Sequence, residues 1–220
     1  MTSERGRPRG FDMNAALDHA LEVFWSQGFQ GASLSELTAA MGVSKPSLYA
    51  AFGNKEALYL QALERYALLQ SAPHLAILDT EPDGRSAVEG YLRSIATMLT
   101  DPALPGGCFI INGVADRGGL STPAAVELAL QKALQGSENK LRGRLLRARR
   151  DGHLVSGIHV GALAGFFVSL IAGMGVLAKS GAKRAKLYVV IAVAMDAWPA
   201  LHASNVGQTK ADNAKWPRKV

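Results

Sequence analysis

Residues 33–52, SLSELTAAMGVSKPSLYAAF, constrain the fold of this chain more than any other stretch. Ser33 followed three residues later by Glu36 is a capping-box pattern, which predicts a helix beginning near Leu34. Gly42 can adopt the positive φ at which such a helix commonly ends. The first half of this stretch therefore predicts a short helix with defined ends.

The second half of the stretch predicts another short helix. Ser44 is an N-cap candidate, and Pro46 falls in the first turn, where a missing N–H costs little. Leu48 and Phe52 are spaced to face inward together, which leaves Lys45, Ser47, Tyr49 and Ala50 nearer the open side. Two helices joined by a glycine turn form either a helix-turn-helix or an ordinary helical hairpin, and the spacing alone leaves both open.

The residues around this unit resemble those of the TetR family of bacterial transcriptional repressors. The resemblance covers about residues 11–63, and it rests on Ala15, Ala16, Phe24, Gly28, Ser33, Leu37, Met41, Gly42, Val43, Ser44, Leu48, Tyr49, Phe52, Lys55, Glu56 and Leu58. Pro46 departs from the glycine of many members, and Ala50 and Ala51 offer few polar atoms for reading bases. Beyond this region the resemblance is one of architecture only.

This resemblance implies an all-α protein of about nine helices. Residues 1–55 would form a three-helix DNA-binding unit, residues 56–204 an effector-binding and dimerisation domain, and residues 205–220 a flexible basic tail. The protein would bind a palindromic double-stranded DNA operator as a homodimer, with one recognition helix in each of two successive major grooves. A small, largely apolar effector would release it.

Individual DNA contacts follow from that docking. We expect Ser33, Tyr49 and Lys55 to hold phosphates, and Lys45 and Ser47 to reach base edges, with Ser44, Pro46 and Ala50 on the same surface. Arg5, Arg7 and Arg9 alternate in a terminal arm, which favours phosphate or minor-groove contact.

The net charge of the chain is not evidence for DNA binding. The formal net charge is +6, yet acidic residues outnumber basic ones within residues 1–60. The excess of positive charge comes from residues 140–150, residues 179–186 and the tail after residue 210. For the arginine run on the predicted helix 121–150, we expect a solvated face, with a site for an anionic effector as the alternative.

The rest of the chain predicts further amphipathic helices. After a helix beginning at Lys55 and ended by Pro73, residues 71–84 are expected to form a loop. Helices then follow over about residues 86–99, 121–150, 154–178 and 183–202, with Ser121 as the cap of the second. The resemblance places the last two helices in a four-helix bundle across the dimer axis.

Residues 154–178 allow two other interpretations. Their apolar length meets the criterion for a membrane span, but we expect a helix buried against a neighbour, with His159 as a core histidine, and no membrane partner. Gly173 to Ala178 also fits a GxGxxA dinucleotide pattern, although too little chain follows to complete a parallel sheet.

The remaining functional residues are predicted from the helices after residue 86. The residues expected to line the effector site are Tyr91, Met98, Phe109, Asn112, Phe166, Phe167 and Met174. Cys108 lies between a glycine pair and a helix, so it is a candidate redox or electrophile sensor, or simply a small buried residue.

No catalytic or metal-ligand spacing occurs, so we expect no cofactor and no enzyme. A single cysteine and the lack of an apolar leader-like run favour a cytoplasmic protein. The alternatives are a helical ligand-binding protein that does not bind DNA and a nucleotide-dependent enzyme.

Overall fold

A computed structural model describes residues 11–116, residues 122–196 and Trp198. The predicted contacts of Arg5, Arg7 and Arg9, the cap at Ser121 and the tail 205–220 lie outside these residues. The regular secondary structure of the described residues is helical, and the helices are α1 Met13–Gly31, α2 Leu34–Met41, α3 Lys45–Phe52, α4 Lys55–Tyr66, α5 Ala72–Thr80, α6 Gly84–Leu99, α7 Phe109–Ala115, α8 Ala124–Arg150, α9 Val160–Lys179 and α10 Arg184–Asp196.

Side-chain caps define several helix starts. The Asn14 backbone N–H donates to Asp12 Oδ1 at 2.8 Å, the Ala57 N–H donates to Asn54 Oδ1 at 2.8 Å, and the Ser86 N–H donates to Asp83 Oδ1 at 2.7 Å. Each bond satisfies an N–H that the first turn of a helix leaves without an intrahelical partner. The starts of α1, α4 and α6 are therefore encoded locally.

The predicted end of α4 at Pro73 and the predicted loop over residues 71–84 are wrong. A π-helical turn, Ala67–Ser71, joins α4 to α5, and the backbone stays helical on both sides of it. Pro73 lies in the first turn of α5. Because the π turn before it has wider hydrogen-bond spacing, the backbone continues without the hydrogen bond that proline cannot donate. Counting α4, the π turn and α5 as one rod gives nine helices in the described chain, as predicted.

The apolar helix begins later than predicted. Residues 154–159 precede α9, and His159 is the exposed N-cap of that helix, where its Nδ1 accepts the Ala162 N–H at 3.0 Å. The prediction of a core histidine inside the helix is therefore wrong. Gly173 and Gly175 lie within α9, so the GxGxxA pattern forms a helix here rather than a strand and turn.

Helix α9 is long and apolar enough to cross a membrane by length and composition, with a mean hydropathy of 2.2 over its best window. About 33% of that window is buried, through residues that include Ala164, Phe167, Ile171 and Met174. The buried side packs against α6, α8 and α10. The other side is exposed.

The side chains form two apolar cores. One joins α1–α4 and also takes in Phe109 and Ile110 of α7 and Val126 and Leu130 of α8. The other is built from α5, α6, the second half of α8, α9 and α10. Because α7 and the start of α8 belong to the first core, the helices of the N-terminal unit are anchored to the later part of the chain.

Candidate DNA-binding surface and ligand cavity

The α2–turn–α3 unit has the geometry that its caps predict. The Glu36 N–H donates to Ser33 Oγ at 3.1 Å, and the Ser33 N–H donates to Glu36 Oε2 at 2.9 Å, which completes the capping box. Gly42 ends α2 with φ +65°. The Ser47 N–H donates to Ser44 Oγ at 3.3 Å and starts α3.

Helix α3 presents the surface that the sequence assigns to DNA. Leu48 and Phe52 are buried beneath it. Its outer residues Ser44, Lys45, Pro46, Tyr49 and Ala50 are exposed, with Tyr49 45% exposed. Ser47 is half-buried, and its Oγ lies 2.8 Å from Ser44 Oγ, so it takes part in the cap as well as facing this surface.

Lys55 lies at the first position of α4, beside this surface. Its Nζ is 4.7 Å from the centroid of the Phe29 ring. Burial lowers the pKa of Lys55, and the nearby Glu36 carboxylate acts in the opposite direction. Ser33 is exposed at the start of α2. Ser33 precedes α2 and Lys55 follows α3 in the chain, and the contacts of both residues with DNA phosphates stay a prediction.

A small set of contacts joins the N-terminal unit to the rest of the molecule. The Trp25 Nε1–H of α1 donates to the Gly107 carbonyl at 3.1 Å, and the Trp25 ring meets the Tyr66 ring edge-on at 4.9 Å. Tyr66, the last residue of α4, donates its hydroxyl to Cys108 Sγ at 3.4 Å. These contacts, called the junction below, connect α1 and α4 to the turn before α7.

An apolar cavity lies next to the junction. Its volume is about 50 Å³, and its lining residues come from α4 to α9 and are Tyr66, Ser71, His74, Leu75, Tyr91, Ile95, Met98, Cys108, Ile110, Ile111, Leu134, Ser137, Val168 and Ile171. A mostly apolar lining of this kind is typical of sites for small organic molecules.

Of the residues that the sequence assigns to the effector site, Tyr91 and Met98 line this cavity. The others are not among its lining residues. Phe109 is buried between the rings of Tyr59 and Tyr66, and Asn112 lies near Gly107. Phe167 and Met174 pack in the core, while Phe166 is 46% exposed on α9.

Sequence reasoning missed several lining residues, above all Ser71, His74 and Leu75. They sit at the end of the π turn and on α5, which the sequence interpreted as a loop. His74 Nδ1 lies 3.0 Å from Ser94 Oγ, and burial lowers the pKa of His74. The periodic apolar residues Leu75 and Leu78 were the available signal for this helix.

Cys108 is half-buried at the N-cap position of α7, without a side-chain cap hydrogen bond. Its sulfur faces the cavity and the Tyr66 hydroxyl. Its role as a sensor stays a prediction.

The arginine run of α8 is not uniformly solvated. Arg144 is 2% exposed, and its Nη2 donates to the carbonyls of Glu81 and Pro82 at 3.1 and 2.9 Å. It thereby ties α8 to the turn between α5 and α6. Arg142 and Arg149 are exposed, so the expectation of a solvated face holds for part of the run.

The chain has an exposed, lysine-bearing second helix in a capped helix-turn-helix, followed by a helical domain with an apolar cavity. This combination defines a DNA-binding transcriptional regulator. Residues 16–62 match the family model described as bacterial regulatory proteins, tetR family, and residues 84–206 match that of the tetracyclin repressor-like C-terminal domain. The chain belongs to the TetR family of bacterial regulators.

Similar proteins agree with this assignment. The HTH-type transcriptional repressor ComR of Escherichia coli (strain K12) is 36% identical over 198 residues, which cover 90% of this chain and 93% of ComR. The solved structure of a triple-cysteine variant of the TetR family regulator CifR, complexed with 26-bp double-strand operator DNA, is 37% identical. It covers 88% of this chain and 100% of that chain, with a TM-score of 0.84. The reduced form of E. coli NemR, at 24% identity and TM-score 0.72 over 86% of this chain and 100% of that chain, shares the fold.

Proposed function

We propose that this regulator is a cytoplasmic repressor that binds a palindromic operator as a homodimer and is released by a small, largely apolar effector. The observation that carries the proposal is the exposed outer surface of α3 between the flanking residues Ser33 and Lys55. The CifR variant, 37% identical to this chain, is solved in complex with operator DNA, which supports operator binding by this chain. In this docking Lys45 and Ser47 reach base edges, while Ser33, Tyr49 and Lys55 hold phosphates.

Dimerisation is supported by apolar side chains that face outward on two adjacent helices. Phe166 and Val176 of α9 are 46% and 65% exposed, and Val189 and Val193 of α10 are 64% and 66% exposed. Large exposed apolar surfaces mark sites of association. A second copy that packs the same two helices against them makes a four-helix bundle across a two-fold axis, and it sets the spacing of the two α3 helices.

The junction gives a physical route from the cavity to DNA. Tyr66 and Cys108 line the cavity and also touch each other, and Gly107 is held by Trp25 of α1. An effector that displaces these side chains shifts the turn before α7 relative to α1 and α4. The dimer that binds the effector then has α3 helices whose separation no longer fits the operator, so DNA is released.

The DNA-binding assignment is tested by fluorescence anisotropy with the intergenic DNA upstream of the protein's own gene. Lys45→Ala removes a base contact and weakens specific binding by about tenfold or more, with little effect on random DNA. Lys55→Ala weakens binding to all sequences and lowers the salt slope by about one unit.

Arg142→Ala is the matched control because it removes an exposed cation on α8, far from α3 in the chain. It leaves both affinities unchanged. If Lys45→Ala and Lys55→Ala behave like this control, the docking of α3 is wrong. If the wild type binds no DNA even at low salt, the chain is instead a helical ligand-binding protein without DNA affinity.

An enzymatic role has no support from the similar proteins, which are named as regulators. A turnover screen with nucleotide cofactors tests the remaining enzyme alternative directly.

A further inference from the structure

The cavity contains two phenol hydroxyls that lack good acceptors. Tyr91 is 5% exposed and lines the cavity, and its hydroxyl makes no hydrogen bond to any of the described residues. The Tyr66 hydroxyl contacts two sulfur atoms, Cys108 Sγ at 3.4 Å and Met98 Sδ at 3.8 Å. Sulfur is a weak acceptor, so both hydroxyls are free to bond to a stronger one.

The two phenols remain donors at neutral pH. Burial raises the pKa of Tyr66 and of Tyr91, and the neighbouring Cys108 contributes in the same direction at both residues. Tyr66, Tyr91 and Cys108 all line the cavity, and the Tyr66 hydroxyl lies 3.4 Å from Cys108 Sγ. An occupant with an oxygen acceptor would give these two hydroxyls a stronger partner than the described residues supply.

The same cavity is unsuited to a charged occupant. None of the described residues that line it is an Asp, Glu, Lys or Arg. His74 is the one titratable nitrogen base among them, and burial lowers its pKa, which favours the neutral ring. An ion that enters without a counter-charge loses its hydration and gains no partner.

We propose that the effector is a neutral, mostly apolar molecule with an acceptor oxygen, of the ketone, aldehyde or ether class, and that Tyr66 and Tyr91 hold this oxygen. The inference rests on the proposed function, because it describes the ligand of the same cavity. It adds the charge state of the effector, its polar group and the residues that recognise that group.

The bond to the ligand also changes the junction. When the Tyr66 hydroxyl donates to the ligand oxygen, it no longer donates to Cys108 Sγ. The end of α4 then loses a contact with the turn that Trp25 holds through Gly107. Recognition of the oxygen and release of DNA are thus linked through one hydroxyl.

The test uses four probes with one aromatic skeleton: acetophenone, ethylbenzene, benzoate and benzylamine. Their affinities for the full-length protein are measured by titration calorimetry at neutral pH. Acetophenone is expected to bind about fivefold to tenfold more tightly than ethylbenzene, because it alone supplies a neutral acceptor. Benzoate and benzylamine are expected to bind more weakly than either.

Tyr91→Phe identifies the residue that holds the oxygen. It keeps the ring and removes the hydroxyl, so the affinity for acetophenone falls about fivefold toward that of ethylbenzene, while ethylbenzene itself binds unchanged. Combining it with Tyr66→Phe removes the remaining preference. Tyr188→Phe is the matched control, since the Tyr188 hydroxyl bonds to Thr97 outside the cavity lining, and it leaves the preference intact.

The results separate this inference from the proposed function. Tighter binding of benzoate or benzylamine, or an unchanged preference in Tyr91→Phe, overturns the assignment of a neutral acceptor. In that case ethylbenzene can still bind in the cavity and release DNA, and the proposed function stands. If acetophenone binds through Tyr91 but leaves operator affinity unchanged, the ligand class is correct and the effector role of the cavity is wrong.

Discussion

Trp25 illustrates how much one side chain contributes at the junction. Its ring packs against Tyr66 and its indole N–H donates to the Gly107 carbonyl, so a single residue of α1 contacts both α4 and the turn before α7. Trp25 is one of the buried residues of α1. The hydrogen bond to a residue 82 positions away depends on tertiary packing and has no local signal.

Trp25→Phe tests this contact. The change keeps an aromatic ring and leaves the Gly107 carbonyl unpaired, so the free energy of unfolding falls by about 1–3 kcal/mol in urea denaturation. The effector is also expected to lower the operator affinity of Trp25→Phe less than it lowers that of the wild type. Fluorescence anisotropy measures this difference.

Trp198→Phe provides the comparison for Trp25→Phe. The Trp198 indole N–H donates to the His153 carbonyl at 3.1 Å within the second core, away from the junction. We expect Trp198→Phe to lower the free energy of unfolding by a similar amount. The effector should still lower operator affinity in this variant as much as in the wild type. Equal effects of both variants on the response would show that the junction carries no signal.

At the scale of the elements, the caps explain why much of the secondary structure is predictable. The side chains of Asp12, Ser33, Ser44, Asn54 and Asp83 accept hydrogen bonds from N–H groups two or three residues later. Such bonds depend only on nearby sequence. The starts of α2 and α3 and the turn at Gly42 therefore follow from the chain itself.

The π turn and the cavity are different, because both depend on packing between distant residues. Pro73 normally marks the end of a helix, and only the wider turn of residues 67–71 lets the rod continue into α5. Without α5, His74 and Leu75 could not be assigned to the lining. Which of the apolar residues on α6 to α9 face the cavity also depends on how these helices meet.

A pair of glycine substitutions tests these element assignments with opposite signs. Gly42→Ala forces alanine to φ +65° at the end of α2 and lowers the free energy of unfolding by about 1 kcal/mol. Gly136→Ala places alanine in the interior of α8 and raises it by about 1 kcal/mol.

Steric clash does not affect the comparison of the two variants, because an added Cβ meets no atom within 4 Å at either position. Only the backbone conformation differs. Urea denaturation of both proteins measures the effect, and the same sign for both would contradict the turn at Gly42 or the helix at Gly136.

At the scale of the whole molecule, the outward apolar faces of α9 and α10 form the proposed dimer interface. Val193→Asp places a charge on each copy at the proposed dimer interface, so it is expected to raise the dimer dissociation constant by about two orders of magnitude or more. Analytical ultracentrifugation measures the change. Specific DNA binding is lost with the dimer.

Leu128→Asp is the control for this change. Leu128 is 50% exposed on α8, so the substitution also exchanges an exposed apolar residue for a charge, but outside α9 and α10. It leaves the dimer intact. If Val193→Asp remains dimeric at the same concentrations, another surface joins the two copies.

The proposed dimer interface on α9 and α10 also affects how promoter occupancy depends on the amount of protein in the cell. A single copy carries one α3 helix, and the proposed operator requires two. Below the dissociation constant of the dimer, the amount of competent repressor rises with the square of the amount of chain made. A modest change in the rate of synthesis then becomes a larger change in promoter occupancy, so the proposed interface on α9 and α10 would set the abundance at which the gene circuit switches.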